Sequence, residues 1–159
     1  MLEQLYHRYY SAAFLYCLTL CKRRELAEDI VADAFVKAYL SLPREIPSFQ
    51  YWLLRVCRNL WLDHLRREKK LAPEEAMENL TVPDTPESLY LRSERQQALW
   101  QAICTLSPLD RELVTLHYFS GLSLQEAAGL LGKSYPATRQ RLVRLRKELK
   151  QRMEEYGYG

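Results

Sequence analysis

No glycine occurs between Met1 and Ser120; the five glycines of the 159-residue chain all lie at Gly121 or beyond. Tight hairpin turns need positive φ, which glycine supplies at least cost, so a sheet meander is hard to build from such a stretch. Apolar residues instead recur at helical spacing, and no alternating strand pattern with turn punctuation is present. The chain is therefore expected to be all-α. Hydrophobic residues make up 48% of it, enough to bury cores and too many for a disordered chain. The length leaves room for one ordinary domain or two small helical ones.

Helix one is expected over about Leu2–Cys21, with Leu5, Tyr9, Ala13, Tyr16 and Leu20 on a shared side. Lys22, Arg23 and Arg24 form a break. Helix two follows over about Glu25–Leu40 and buries Leu26, Ile30, Ala34 and Ala38. Its other side carries Glu25, Asp29 and Asp33 four apart, and like charges at that spacing cost a helix about 0.2–0.5 kcal/mol per pair. A row that opposes its own helix points to a basic partner; the plainer alternative is a solvated acidic face relieved by Lys37. After a loop, Leu42–Ser48, helix three is expected over Phe49–Lys70. Leu53, Val56, Cys57 and Leu60 mark its buried side, and Trp61 is read as core. Tyr51, Arg55, Arg58, Asn59 and Arg66 lie opposite. A ring for stacking, an amide for a base edge and cations for phosphates are what holding an unstacked single strand requires.

Residues Ala72 to Pro86 are acidic, proline-punctuated and aperiodic. They read as a flexible linker (71–87) between a small helical domain of residues 1–70 and another of residues 88–159. Helix four is expected to begin near Pro86-Glu87 and to pack through Leu89, Leu99, Ile103 and Leu106. Ser107-Pro108-Leu109-Asp110 opens the next helix with a hydroxyl cap, a first-turn proline and a carboxylate placed to reach back. Leu113, Leu116 and Phe119 recur until Gly121 stops it. Ser123 and Glu126 match a capping box, Leu124, Ala127, Ala128 and Leu131 follow, and Gly132 suits the left-handed end. The last helix starts near Ser134 to Pro136, capped by Ser134 or Tyr135, and runs to about Arg152. Two helices joined by a glycine-bearing turn are a helix-turn-helix, whose second helix enters a DNA major groove.

On that last helix Thr138, Leu142, Leu145 and Leu149 share the stripe that faces the core. The other side presents Pro136, Gln140, Val143, Arg144 and Lys147, flanked by Arg139, Arg141, Arg146 and Lys150. Arginine can bond a guanine edge through two hydrogen bonds and glutamine an adenine edge, while lysine and outlying arginines suit phosphates. Alone, the basic run reads equally well as a solvated face; the preceding turn favours DNA. Net charge is only +3, so distribution matters more than total. Arg66, Arg67, Lys69 and Lys70 close the first half, and Pro73 to Glu87 is acidic.

Cys17 and Cys21 share a helix face and with Cys57 form a conceivable metal set, but no C-x-x-C pair is present, and buried thiols are the preferred reading. No metal or cofactor is expected. His7, His64 and His117 are scattered and pair with no nucleophile, which argues against an enzyme and a small-molecule substrate. No apolar run is long enough to cross a bilayer and no signal-peptide order opens the chain, so a cytoplasmic protein without membrane insertion is expected.

Three blocks carry a family resemblance: AEDIVADAF (Ala27 to Phe35), FQYWLLRVCRNLWLDHLRR (Phe49 to Arg67), and LSPLDRELVTLHYFSGLSLQEAAGLLG (from Leu106) followed by RLVRLRKEL. In this order they resemble extracytoplasmic-function (ECF) sigma factors, small bacterial initiation factors with only the second and fourth sigma domains. The resemblance covers nearly the whole chain. It implies a factor without catalysis of its own that recruits core RNA polymerase to promoter DNA. Glu28, Asp29 and Asp33 would dock on the clamp helices of the β′ subunit, and the fourth domain on the β flap. Asn59, with Tyr51 and the loop before Phe49, would trap a flipped base of the minus-ten strand, with Arg55 and Arg66 near its backbone. The helix from Ser134 onward would read the minus-thirty-five duplex through Tyr135, Pro136, Ala137, Arg139, Gln140, Arg141, Arg144 and Lys147. The acidic linker would thread the polymerase cleft, and an inhibitory anti-sigma factor is an implied partner.

The chain departs from the family in two places. Family members often read S-V-G-T-V into the recognition helix, where this chain has Ser134-Tyr135-Pro136-Ala137-Thr138. The register of the base-reading residues is thereby displaced, and Thr138 on the core stripe is expected to loosen the helix. The aromatic pair with which housekeeping sigma factors melt the strand is missing near Arg55 and Val56, which implies weaker melting and stricter promoter choice. Two rival functions remain at this level: a helix-turn-helix regulator that needs no polymerase, and a sigma mimic that titrates an anti-sigma factor.

Overall fold

The structure, a computed structural model, describes residues 2–41, 48–71 and 93–158. The chain divides into two units, Met1–Pro83 and Asp84–Gly159. Among the described residues both are built of helices, with no strand.

In the first unit α1 spans Leu2–Cys21, α2 Arg24–Ser41 and α3 Phe49–Leu71. From Ala12 to Cys21 every residue of α1 is buried, so this half of the helix is enclosed on all sides instead of showing the one stripe expected. Cys21, Thr19 and the small Ala12 and Ala13 are what make an all-round contact with α2 and α3 possible. Lys22 ends α1 in the left-handed region (φ 55°), its N–H donating to the Leu18 carbonyl at 2.9 Å. Arg24, expected in the break, is already the first residue of α2. Ile30, Ala34 and Ala38 are buried as expected, joined by Ala27, Val31 and Phe35, while Leu26 is half-buried.

Ser48 starts α3 by accepting a hydrogen bond from the Tyr51 N–H at 3.2 Å. A run of ring contacts then fixes where that helix begins: Phe35 on Phe49 (6.2 Å), Tyr9 on Phe49 (5.5 Å) and Phe49 on Trp52 (5.9 Å). Leu53, Leu54 and Cys57 are buried, whereas Val56 and Leu60 are only half-buried. Trp61 is not core: it is half-buried and stacks on His64 at 5.7 Å. All four cysteines are free, buried thiols. Burial pushes the Cys17 thiol well above its ordinary value, and its hydrogen bond with Cys57 pushes in the same direction. No cluster of ligating side chains able to hold a metal occurs among the described residues.

In the second unit α4 spans Glu94–Cys104, α5 Pro108–Val114, α6 Leu124–Leu131 and α7 Tyr135–Glu155. Ser93 and Gln96 form a capping box at the start of α4. The expected helix start at Pro86-Glu87, Leu89, and nearly all of the acidic linker lie outside the described residues. Trp100, Ile103, Leu113, Leu116 and Leu145 are fully buried and centre the core. Trp100, set among glutamines in the sequence, meets Phe119 edge-on at 6.4 Å.

The start of α5 departs from expectation. Ser107 has extended backbone but makes no side-chain cap bond, and the Asp110 carboxylate turns away from its own helix end. Its far end differs too: Thr115–Phe119 is a single π-helical segment in which the Ser120 N–H donates to the Thr115 carbonyl at 2.9 Å. Gly121 follows at φ 74°, and α6 begins on the Ser123–Glu126 capping box. Gly132 (φ 68°, ψ 31°) ends α6, with Lys133 N–H donating to Ala128 O at 2.9 Å and Gly132 N–H to Gly129 O at 3.2 Å. That bond pattern is the Schellman end, which satisfies two carbonyls the helix leaves open.

Candidate nucleic-acid and polymerase interfaces

Helix α7, the candidate recognition helix, is set by its first turn. The Ser134 hydroxyl accepts from Ala137 N–H at 3.3 Å, so Ser134 and not Tyr135 is the cap, and Pro136 sits in the first turn, where its missing N–H costs nothing. Thr138 is buried, yet its hydroxyl donates to the Ser134 carbonyl at 2.8 Å and leaves no orphaned polar atom. The expected loosening at Thr138 is thus offset by a bond that reinforces the cap. Thr138, Leu142, Leu145 and Leu149 form the buried stripe, extended by Met153. Each fully buried leucine stabilises the seat of α7 by roughly 1.5–3 kcal/mol.

Opposite that stripe, Tyr135, Pro136, Ala137, Arg139, Gln140, Val143, Arg144 and Lys147 are exposed. Tyr135, Pro136, Arg139, Gln140 and Val143 line one open groove. Side chains of α5 and of the π segment reach α7. Arg141, half-buried, donates to Asp110 Oδ1 at 2.7 Å, while Arg144 lies 3.8 Å from Oδ2 of the same carboxylate. On the other flank Arg146 donates to the Tyr118 hydroxyl and lies over its ring, 5.8 Å from the centroid. Asp110 and Tyr118 were not legible as parts of this face. They lie 31 and 28 residues from the arginines they hold, and no local pattern reports such pairs.

In the first unit Tyr51, Arg55, Asn59 and Arg66 share one arc of α3 at 3.6 residues per turn. Arg55, Asn59 and Arg66 are exposed and Tyr51 is half-buried. Arg66 pairs with Asp63, and both line an open groove with Asn59, Leu62, Leu65, Lys69 and, from α2, Lys37. Lys37 and Lys69 are additions from the structure: an amide that shares a groove with two lysines and the Arg66–Asp63 pair can meet a base edge and the phosphates beside it. The loop expected to assist Asn59 lies outside the described residues, apart from Ser48.

The acidic face of α2 is as exposed as its spacing implied. Glu28 is bound within its own helix, 3.2 Å from Arg24 Nε. No hydrogen bond or ion pair is found for Asp29 or Asp33 among the described residues. The row runs on into Val36 and Leu40 at helical spacing, with Tyr39 beside them, and all three are exposed, Tyr39 by 76%. A face that is acidic at one end and apolar at the other suits a protein partner more than bulk water.

Residues 5–71 match the family profile described as sigma-70 region 2, and residues 96–149 that of sigma-70 region 4. RNA polymerase sigma factor YlaC of Bacillus subtilis is 30% identical over 158 residues, covering 96% of this chain and 91% of YlaC. The ECF RNA polymerase sigma factor BldN of Streptomyces coelicolor is 30% identical over 141 residues, or 82% of this chain, which spans 52% of BldN. Among solved structures, the sigma factor RpoE in complex with the anti-sigma factor NepR from Bartonella quintana shares the fold. It has a TM-score of 0.76 at 24% identity, over 96% of both chains. CnrH in complex with the cytosolic domain of CnrY does likewise, with a TM-score of 0.63 at 23% identity over 97% of this chain and 88% of that one. With both sigma domains matched in order and a relative aligned over almost its full length, the chain belongs to the ECF group of sigma-70 RNA polymerase sigma factors.

Proposed function

We infer that this sigma factor brings core RNA polymerase to promoters through three faces with separate tasks. The α2 face, through Glu28, Asp29 and Asp33 with Val36, Tyr39 and Leu40 beside them, holds the clamp helices of the polymerase. The α3 arc of Tyr51, Arg55, Asn59 and Arg66 holds the minus-ten strand once it is unpaired. The α7 face, from Ser134 to Lys147, reads the minus-thirty-five element as duplex, and its unit rests on the β flap. The observation that carries this reading is the exposed acid row in which Asp29 and Asp33 make no ion pair among the described residues. A plain DNA-binding regulator has no use for it, and a basic partner relieves it.

No step of this needs catalysis by the factor. Base–aromatic stacking is worth about 1–3 kcal/mol per base, against roughly 1.4 kcal/mol for each duplex step given up. Capture of one base by Tyr51 and Asn59 therefore offsets only one or two steps. The remaining bubble depends on the polymerase, which also does the chemistry. An anti-sigma factor that covers one of these faces is a further expected partner, a reading supported by the RpoE–NepR complex. Action on the chromosome places the protein in the cytoplasm; among the described residues no helix is long and apolar enough to cross a membrane. The test is co-purification with core polymerase and run-off transcription on a random promoter library. Asp29→Arg combined with Asp33→Arg should abolish both while leaving the helical circular dichroism unchanged; undiminished co-purification overturns the reading.

A further inference from the structure

Asp110 sits at the third position of α5, where the sequence pattern gives it the task of capping its own helix. Instead its carboxylate, 12% exposed, faces α7 and lies between two guanidinium groups, Arg141 at 2.7 Å and Arg144 at 3.8 Å. The two arginines are not equivalent. Arg141 is 37% exposed and bound at full hydrogen-bond distance, whereas Arg144 is 65% exposed and only drawn toward the second oxygen. One carboxylate cannot neutralise two cations, so Arg144 keeps charge to offer outward while its range of directions is narrowed. Arg141, one of the residues assigned to DNA by its spacing, is spent on this bridge.

We propose that Asp110 is a specificity-determining positioning residue: it withholds Arg141 from phosphates and aims Arg144 at a base edge. The inference rests on the reading of α7 as the duplex-reading helix and deepens it. An arginine without such a restraint swings to the nearest phosphate, which adds affinity to every sequence alike. A restrained one reads guanine through two parallel bonds, and a mismatch then leaves it unpaired. Helix α5 thus does more than pack against α7: it sets the balance between sticking to DNA and choosing among sequences.

The experiment uses the full chain assembled with core polymerase, and duplex promoters randomised in the upstream element with the downstream element fixed. Bound sequences are counted over a salt series. Asp110→Asn should flatten base preference at the position Arg144 meets, lowering the ratio of best to average sequence roughly tenfold, a value within the range for one bidentate contact. It should also steepen the fall of log affinity with log salt by about 0.9 for each guanidinium released to a phosphate. Asp110→Glu, which restores a carboxylate, should recover most of the preference. Arg144→Lys, made at an exposed position that carries no packing, should lose the preference while keeping the salt slope. A folded Asp110→Asn protein with the preference and slope of the parent overturns the proposal, as does a uniform loss of affinity across all sequences or an Arg144→Lys protein with preference intact. A parent holoenzyme with no upstream preference at all overturns the reading of α7 itself, and that outcome is visible before any variant is compared.

Discussion

Replacing Asp29 by asparagine should make the free protein more stable and its complex with polymerase weaker. Asp29 has an acidic neighbour one helical turn away on both sides, Glu25 and Asp33, and all three are exposed on α2. Two like-charge pairs at about 0.2–0.5 kcal/mol each give a gain of about 0.4–1 kcal/mol when the central charge is removed. Asparagine and aspartate have similar helix propensity, so little else changes. The charges stand about 6 Å apart along the helix, inside the screening length of about 10 Å at 0.1 M salt and outside that of about 3 Å at 1 M. The gain should therefore be visible in urea unfolding at low salt and vanish near 1 M. Asp33→Asn is the internal control, because it removes one repulsion and also the attraction to Lys37 four residues on, and should be close to neutral. Affinity of Asp29→Asn for core polymerase, measured by competition at low salt, should fall by about tenfold or more, which is about 1.4 kcal/mol or more. A destabilised Asp29→Asn protein, or one as stabilised as Asp33→Asn, would refute the charge-row reasoning; unchanged polymerase affinity would refute the assignment of the face.

The remaining expectations concern α7, its turn and the buried thiols. Gln140→Ala should relax base preference at one upstream position at a cost of about 1–3 kcal/mol in discrimination, read from the same randomised duplexes; a uniform loss would make Gln140 a backbone contact. Ser123→Ala removes the hydroxyl that accepts from Glu126 N–H at 3.1 Å and should lower unfolding free energy by about 1 kcal/mol. Gly132→Ala meets no atom within 4 Å, so its cost should be the backbone strain alone, roughly 1 kcal/mol, with Gly132→Asn costing less; equal losses for the two in urea unfolding would show that the left-handed geometry is not the cause. The Cys17 thiol has its pKa raised in the folded state above an ordinary value of 9.0. Its neutral form is therefore favoured by folding, and the associated stability is whole below pH 9 and declines as pH rises beyond it. The urea midpoint should drop between pH 8.5 and pH 10.5 (roughly the window in which an unfolded thiol ionises), and less in Cys17→Ala.

What the sequence made legible was whatever depends on neighbours within one or two turns. The left-handed Gly132, the Ser123–Glu126 box, the Thr138–Leu149 stripe and the exposed faces of α2, α3 and α7 all follow from spacing and local hydrogen-bond chemistry. What it hid depends on a second helix. Leu113, Leu116 and Phe119 fit an ordinary α-helix, and nothing in their spacing reveals that Thr115–Phe119 widens to a π segment as the chain turns into Gly121. Trp61 looks like core by residue type, yet it is only half-buried and stacks against His64. Asp110 has the position and chemistry of a capping carboxylate, and an arginine arriving from 31 residues away outbids the cap. The candidate site divides the same way: the exposure of the residues proposed to meet DNA was readable, whereas Lys37, Lys69 and the two anchors of the α7 arginines were not.

The two charged helices solve the same problem differently, and the contrast says where each seeks its partner. Both crowd like charges on one face at a cost to their own stability. On α7 part of that cost is met inside the unit: Asp110 takes Arg141 and draws Arg144, Tyr118 takes Arg146, and Glu148 lies 3.5 Å from Arg152. On the proposed reading of α7, such a face is held ready before DNA arrives, as discrimination between sequences demands, since an arginine that must first be ordered gives up part of its binding energy. On α2, Arg24 engages Glu28, while among the described residues no ion pair reaches Asp29 or Asp33, which lie beside exposed Val36, Tyr39 and Leu40. On the proposed reading of α2, that face needs no choice among many near-identical ligands, only a strong attraction to one protein surface, which unrelieved charge provides by speeding encounter. An internal cation placed to relieve Asp29, for example by Ala32→Lys on the next turn, should therefore slow association with polymerase more than it speeds dissociation, whereas loss of Asp110 should leave association with polymerase untouched.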